Sequence, residues 1–280
     1  TEGEGKILGS LDDLRDIDPH MNIAQLAEIT NHLIADHEGS VRPVFFGYEA
    51  GEPLLGVFKP HGGESDWLRE EFPGIDRYDV REALAYDLSE HFGFDLVPPT
   101  IQREIDGQVG SLQLYVPETT HQTLDRMWMT AKPEDLADSI DYEVMAAFDY
   151  IIANHDRHKR NILVRYEEDG ARKRLFKDEY GAQMIAIDNG TSMSSKDYYG
   201  RNAAITGPSA ELTYDFEEKH PIQVEIPPYL ISMLKTGLEN SSGFDAQKYS
   251  AHFNPNEIEG MWERAQKLLQ SGVFLSRYNV

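Results

Sequence analysis

Apolar residues at Ile23, Leu26, Ile29, Leu33 and Ile34 recur at helical spacing, so a helix is expected over Asn22–His37, ended by Glu38-Gly39. The pattern then changes. Arg42–Gly47 and Pro53–Phe58 read as two strands joined by a Gly-containing turn, and Pro60–Pro73 as a polar, Gly-rich connection. Tyr78–Gly93 returns to helix, with Leu84, Leu88 and Phe92 on one stripe and Gly93 as the stop. Further strands are expected at Pro99–Glu104 and Gly110–Val116. After about Val116 helices dominate, at Ile140–Asn154, Leu230–Leu238 and Pro255–Ser271, interrupted by a hairpin around Glu168-Asp169-Gly170. A strand-rich half with one helix, then a helix-rich half, predicts an α+β chain of two lobes. The divisions are an N-terminal extension with a helix over 1–38, a first lobe over 39–116 and a second over 117–280.

Composition narrows the function classes. The chain has 280 residues, 40% hydrophobic and 27% charged, the profile of a folded soluble protein with a substantial core. It has no cysteine, which excludes disulfides, Cys-zinc sites and thiol chemistry and fits a cytoplasmic location. No apolar run approaches the roughly 20 residues of a membrane span, so membrane contact is at most peripheral. The formal net charge is −23, which repels nucleic-acid backbones and anionic lipid faces, and no nucleic-acid partner is expected. The densest basic group is Arg157–Arg160.

That basic group sits inside the stretch that carries the chemistry. Asn154–Asn161 reads N-H-D-R-H-K-R-N, and Ile185–Gly190 reads I-A-I-D-N-G. Asp156, then Asn161 five positions on, then Asp188 closing an apolar strand is a spacing used in phosphoryl transfer. Asp156 could orient and deprotonate an attacking hydroxyl. Asn161, opening the apolar strand Ile162–Val164, and Asp188 could hold Mg²⁺, which suits carboxylate and amide oxygens together with phosphate. Asp188 has a second reading as part of a D-N-G turn, and Gly190 would allow the sharp bend after it. Upstream, Lys59 ends the strand L-L-G-V-F-K-P and could touch nucleotide phosphates if Glu82 on the next helix holds it. Its plain alternative is an ordinary strand-end lysine beside a solvated glutamate.

Other signals are weaker. Gly39-Ser40 and the turn Gly47–Gly51 could cover phosphates, but neither G-x-G-x-x-G nor G-x-x-x-x-G-K-[ST] occurs. His155 and His158 flank Asp156 without a third obvious ligand, and His158 reads as shaping the loop rather than binding a transition metal. No G-x-S-x-G suggests a serine hydrolase.

With these residues in order, the chain resembles the phosphatidylinositol 3-/4-kinase-like branch of the kinase superfamily, with D-R-H-x-x-N and the late I-D-x-G as its signatures. The similarity runs from V-F-K-P through E-F-P-G, R-E-A-L-A-Y, G-F-D-L-V-P-P-T and S-L-Q-L-Y-V to F-D-Y-I-I-A-N-H-D-R-H. It looks like a bacterial family related distantly to HipA-type kinases. The resemblance implies a two-lobed protein-kinase-like fold and an ATP- and Mg-dependent phosphotransferase. It implies Lys59 and Glu82 as the nucleotide pair, Asp156 as catalytic base, Asn161 and Asp188 as metal ligands, and a hinge at Gln113, Tyr115 and Val116 that meets adenine. For the acceptor, the acidic surface leans toward a hydroxyl on a protein or small molecule. Lys196 and Arg201 are the only cations in the stretch after Asp188 that could meet a lipid head group. The family name leans toward an inositol lipid. A nucleotide-binding pseudokinase with a regulatory role is a further alternative, and Ser192, Ser194 and Ser195 are candidate autophosphorylation sites.

Overall fold

A computed structural model describes residues 42–49, 52–63, 70, 76–116, 120–127, 139–154, 156–169, 172–179, 181–193 and 224–274. The expected helix Asn22–His37, Gly39-Ser40, His155, Ser194, Ser195, Lys196 and Arg201 lie outside the described residues. Strands β1 (Arg42–Glu49) and β2 (Glu52–Pro60) pair antiparallel and run longer than expected, with a register shift between Phe45 and Gly47. Helix α1 (Tyr78–Phe92) ends where Gly93 takes a left-handed φ of 69° and donates its N–H back to Glu90 O. Strands β3 (Thr100–Ile105) and β4 (Gln108–Leu114) meet through Asp106-Gly107, both left-handed. That Asp-Gly pair is a strong hairpin signal, and it carries the ladder closer to the turn than the apolar pattern suggested. The sheet order is β1-β2-β4-β3, so β2 with Lys59 lies inside the sheet.

The second half is built from β5 (His121–Thr123), α2 (Leu124–Met127), α3 (Ile140–Ile152), β6 (Ile162–Asp169), β7 (Arg172–Leu175), β8 (Lys177–Asp178), β9 (Gly181–Ala182) and β10 (Met184–Ala186). It continues with β11 (Val224–Glu225), α4 (Pro228–Glu239), α5 (Gln247–Ser250), α6 (Pro255–Ser271) and β12 (Val273–Phe274). A second sheet has the order β10-β6-β5, and β7 pairs β6 in the hairpin expected around residues 168–170. The architecture is α+β, strand-rich first and helix-rich after.

Local chemistry sets the helix ends. Asn254 accepts from Asn256 N–H while Glu257 reaches back to Asn254 N–H, a capping box that starts α6 at Pro255 as expected. Helix α3 stops two residues short of Asn154, because Ala153 turns left-handed (φ 48°) and Asn154 N–H closes onto Asp149 O. Asn154 is therefore free to shape the following loop.

One apolar core joins the two halves. Leu84, Leu88, Phe148 and Ile151 are fully buried, each worth about 1.5–3 kcal/mol of transfer free energy. Phe92 stacks on Phe94 at 5.2 Å, and Phe94 meets Phe148 edge-on at 6.1 Å. The stripe on α1 understates its burial. Asp79, Arg81 and Glu82 on its other faces are also buried, and those charges lead to the site.

Candidate active site

Lys59, near the end of β2, pairs in register with Ser111 of β4, and its side chain crosses to α1 and the end of β10. Its Nζ donates to Glu82 Oε1 at 2.6 Å and to Asp188 Oδ1 at 2.8 Å. Glu82 is 2% exposed, so it is not a solvated helix-start charge. Burial alone would lower the ammonium pKa, but the Asp188 and Glu82 carboxylates outweigh it and hold Lys59 charged, above its ordinary value. The strand beneath must run very close. A Cβ on Gly110 would lie 2.3 Å from Lys59 O and 2.8 Å from Pro60 Cα. Gly110→Ala is therefore expected to lose about 1–3 kcal/mol by overpacking. If Lys59 touches a nucleotide as the sequence leads one to expect, the variant should also weaken ATP binding, because the contact is relieved only by moving β2 at Lys59. Denaturant unfolding and an ATP titration check both parts.

The loop after α3 holds Asp156 by its backbone. Its N–H donates to Asn154 Oδ1 at 2.9 Å, and its carbonyl accepts from Asn161 Nδ2 at 2.9 Å. Asn154 is steadied in turn by Thr191 Oγ1 at 3.3 Å. With the nitrogen end of the Asn161 amide held inside the loop, its oxygen is the end that could serve as a ligand. Burial raises the Asp156 carboxyl above its ordinary value. His158 and Arg157 oppose that rise, and neighbouring Asp188 reinforces it. His158 shapes the loop as expected. Its Nδ1 accepts from Arg160 N–H at 3.2 Å, and its Nε2 lies 3.7 Å from Asp156 Oδ1.

Asp188 follows β10, and the bend falls on Asp188 itself. Its φ is 57°, whereas Gly190 has no positive φ. What Gly190 supplies is space, since a Cβ there would meet Tyr78 Cδ1 at 3.1 Å. The turn that does form runs from Asn189 O to Ser192 N–H at 3.2 Å, one residue after Asp188. Asn189 N–H donates to Glu82 Oε2 at 3.0 Å, so one glutamate holds both Lys59 and the backbone beside Asp188. Ser192 is fully buried, which removes it as an autophosphorylation site.

The three hinge residues separate. Gln113 lies within β4, in register with Val57 and Thr100, and its Nε2 donates to Thr100 Oγ1 at 2.9 Å. Tyr115 and Val116 leave the sheet half-buried, after Leu114 N–H closes onto Pro99 O. Arg157 is the site residue that the sequence pattern hid. It stands in the basic run but is 4% exposed, gripping Asp149 through Nε and Nη2 at 3.1 Å each. Its Nη1 donates to Asn161 O and Ile187 O, both at 2.7 Å, and its Nη2 also donates to Asn189 Oδ1. The one signal for it was its position directly after Asp156.

Lys59, Glu82, Asp156, Asn161 and Asp188 thus converge from β2, α1, the loop after α3 and the end of β10. Residues 111–252, just over half of the chain, match the family model described as phosphatidylinositol 3- and 4-kinase. The chain belongs to the phosphatidylinositol 3- and 4-kinase family. The family match includes Gln113, Tyr115, Val116, Asp156, Asn161 and Asp188. Lys59 and Glu82 precede it and are joined to it by geometry alone. Membership puts the chain among the kinases, and hence among phosphotransferases. Among solved structures the chain is similar to a Helicobacter pylori proinflammatory kinase, CtkA, at 11% identity over 83% of this chain and 91% of that one, with a TM-score of 0.38. No curated protein matches the chain. Among the described residues, no helix is long and apolar enough to cross a membrane.

Proposed function

We propose that the chain is an ATP- and Mg²⁺-dependent kinase that transfers the γ-phosphate to a hydroxyl of a protein or small molecule. The observation that carries this reading is the Lys59 ammonium held by Glu82 at 2.6 Å and by Asp188 at 2.8 Å, beside the Asp156 loop. The described residues between 42 and 116 make up the first lobe and those between 120 and 274 the second. Lys59 contacts the nucleotide phosphates, with Glu82 fixing its position. Tyr115 and Val116 meet adenine as the chain leaves the sheet, and Gln113 supports them from within it.

The donor set suits Mg²⁺. Asn161 offers an amide oxygen and Asp188 a carboxylate whose side chain is 48% exposed. Among the described residues no group of three or more His, Cys, Asp or Glu could hold a metal alone, and phosphates and water would supply the remaining ligands. When bound, the ion offsets charge on the phosphate oxygens. Asp156 takes the acceptor's proton as the new P–O bond forms and the bond to the β-phosphate oxygen breaks, releasing ADP. Its raised pKa makes it the better base. ATP as donor implies a cytoplasmic location.

The acceptor is the finer part of the proposal. A net charge of −23 opposes docking on an anionic membrane, which favours a protein or small-molecule hydroxyl. The family match favours an inositol lipid as the second reading. The test presents γ-labelled ATP to inositol-lipid vesicles and to whole-cell lysate in parallel, with Asp188→Ala as control. Label is expected on lysate protein or a small molecule and lost in Asp188→Ala. Label in lipid would replace the first acceptor with the second. ATP bound with no label moved would leave a regulatory pseudokinase.

A further inference from the structure

Arg81 precedes Glu82 on α1, takes no part in the chemistry above and is 1% exposed. A buried cation needs compensation on every side, and Arg81 receives it from three places. Its Nε donates to Asp76 O at 2.7 Å, at the entrance to α1. Its Nη1 donates to Ser192 O at 2.6 Å and to Met193 O at 2.8 Å. Its Nη2 donates to Glu257 Oε1 at 2.8 Å, on the first turn of α6, and its guanidinium carbon lies 4.9 Å from the Phe253 ring centroid.

These bonds bracket the segment that bears Asp188. Glu82 holds its start through Asn189 N–H, and Arg81 holds its end through two carbonyls. The end is itself constrained. Met193 sits in the left-handed region (φ 62°), which an unbranched L-residue occupies at about 1 kcal/mol or more. Its N–H is pinned to Ile152 O and its carbonyl to Arg81. A helix that swung outward would break both sets of bonds and strand the buried Glu257 carboxylate.

We propose that Arg81 is a positioning residue. It fastens the Glu82 helix to the Asp188 segment so that Lys59, Glu82 and Asp188 keep their spacing as one rigid unit. The kinetic part of this inference rests on the phosphotransferase reading above, and the backbone part does not. Arg81→Met keeps most of the side-chain volume and removes the fork. Its half-saturating Mg²⁺ concentration is expected to rise about 10-fold, the scale seen when outer groups that orient metal ligands are lost. Amide hydrogen exchange across residues 187–193 is expected to accelerate. Gly237→Ala serves as the control, because its added Cβ would lie 2.2 Å from Phe92 Cδ1 in the helical core. It should lose stability without changing either readout. Arg81→Lys, which keeps charge but not the fork, should fall between wild type and Arg81→Met, and it carries the comparison if Arg81→Met does not fold. The proposal is overturned if the Arg81 variants only melt earlier, like Gly237→Ala, with Mg²⁺ dependence and exchange across 187–193 unchanged. A wild-type protein that moves no phosphate would refute the function while the exchange measurement still decides the role of Arg81.

Discussion

Asp156→Asn is expected to lower phosphate transfer by about 10²–10⁴-fold, the range contributed by a positioned general base, and to leave the fold intact. The backbone of Asp156 is fixed by Asn154 and Asn161 through main-chain groups, and both bonds survive the substitution. The side chain is 22% exposed, and its contacts to His158 and Asn161 are long, at 3.7 and 3.5 Å, so an amide of the same shape leaves neither a cavity nor a buried stranded charge. Asp188 raises the Asp156 pKa by repulsion, and replacing the carboxylate removes that repulsion. The melting temperature should therefore stay level or rise slightly while turnover collapses. Steady-state ATP turnover beside a melting curve checks it. A fall in both together would mean that Asp156 holds the loop rather than the chemistry.

Arg157→Met should produce the largest loss of stability, about 3–5 kcal/mol, because it leaves the buried Asp149 carboxylate without its partner. That is a large share of the roughly 5–15 kcal/mol that holds a domain folded. Four segments lose contacts at once: Asp149 on α3, the carbonyl of Asn161, the carbonyl of Ile187 and the Asn189 amide. Arg157→Lys should rescue little, since one ammonium cannot reach acceptors spread around a planar fork. The pH dependence gives the cause a signature. Burial raises the Asp149 pKa, and Arg157 opposes the rise. The folded carboxyl already sits above its unfolded value near 3.8, and without Arg157 it rises further. A group raised in this way favours the folded state below the unfolded pKa and loses that contribution as pH climbs through the folded one. The deficit of Arg157→Met should thus shrink toward acid and widen toward neutrality. Denaturant unfolding at several pH values measures this, and Asp149→Asn with Arg157→Met should recover part of the loss.

How much of this was legible in the chain depended on whether the signal was local. Helix α6 could be read to its ends, because Asn254, Pro255 and Glu257 carry its start within four residues. The order Lys59, Glu82, Asp156, Asn161 and Asp188 was legible because chemistry dictates residue types at fixed spacing. The buried arginines were not. Arg81 finds Glu257 and Ser192 far along the chain, and Arg157 finds Asn189, so local periodicity registers both as exposed charge. The bend at the Asp188 segment reads from sequence as belonging to Gly190, because glycine is the usual left-handed residue. The contacts to Glu82 and Lys59 instead hold Asp188 there. Gln113 entered the hinge through the family resemblance, and the structure places it within the ladder, which runs to Leu114.

The central claim is that Lys59, Glu82, Asp156, Asn161 and Asp188 form a working phosphotransfer centre rather than a nucleotide-binding relic. Its most direct test follows the γ-label of ATP on the intact chain in the presence of cell lysate, with Mg²⁺ and with the ion chelated. The account predicts that label leaves ATP and appears on an acceptor only while Mg²⁺ is present. ATP that binds, stabilises the protein and keeps its label under both conditions would contradict it.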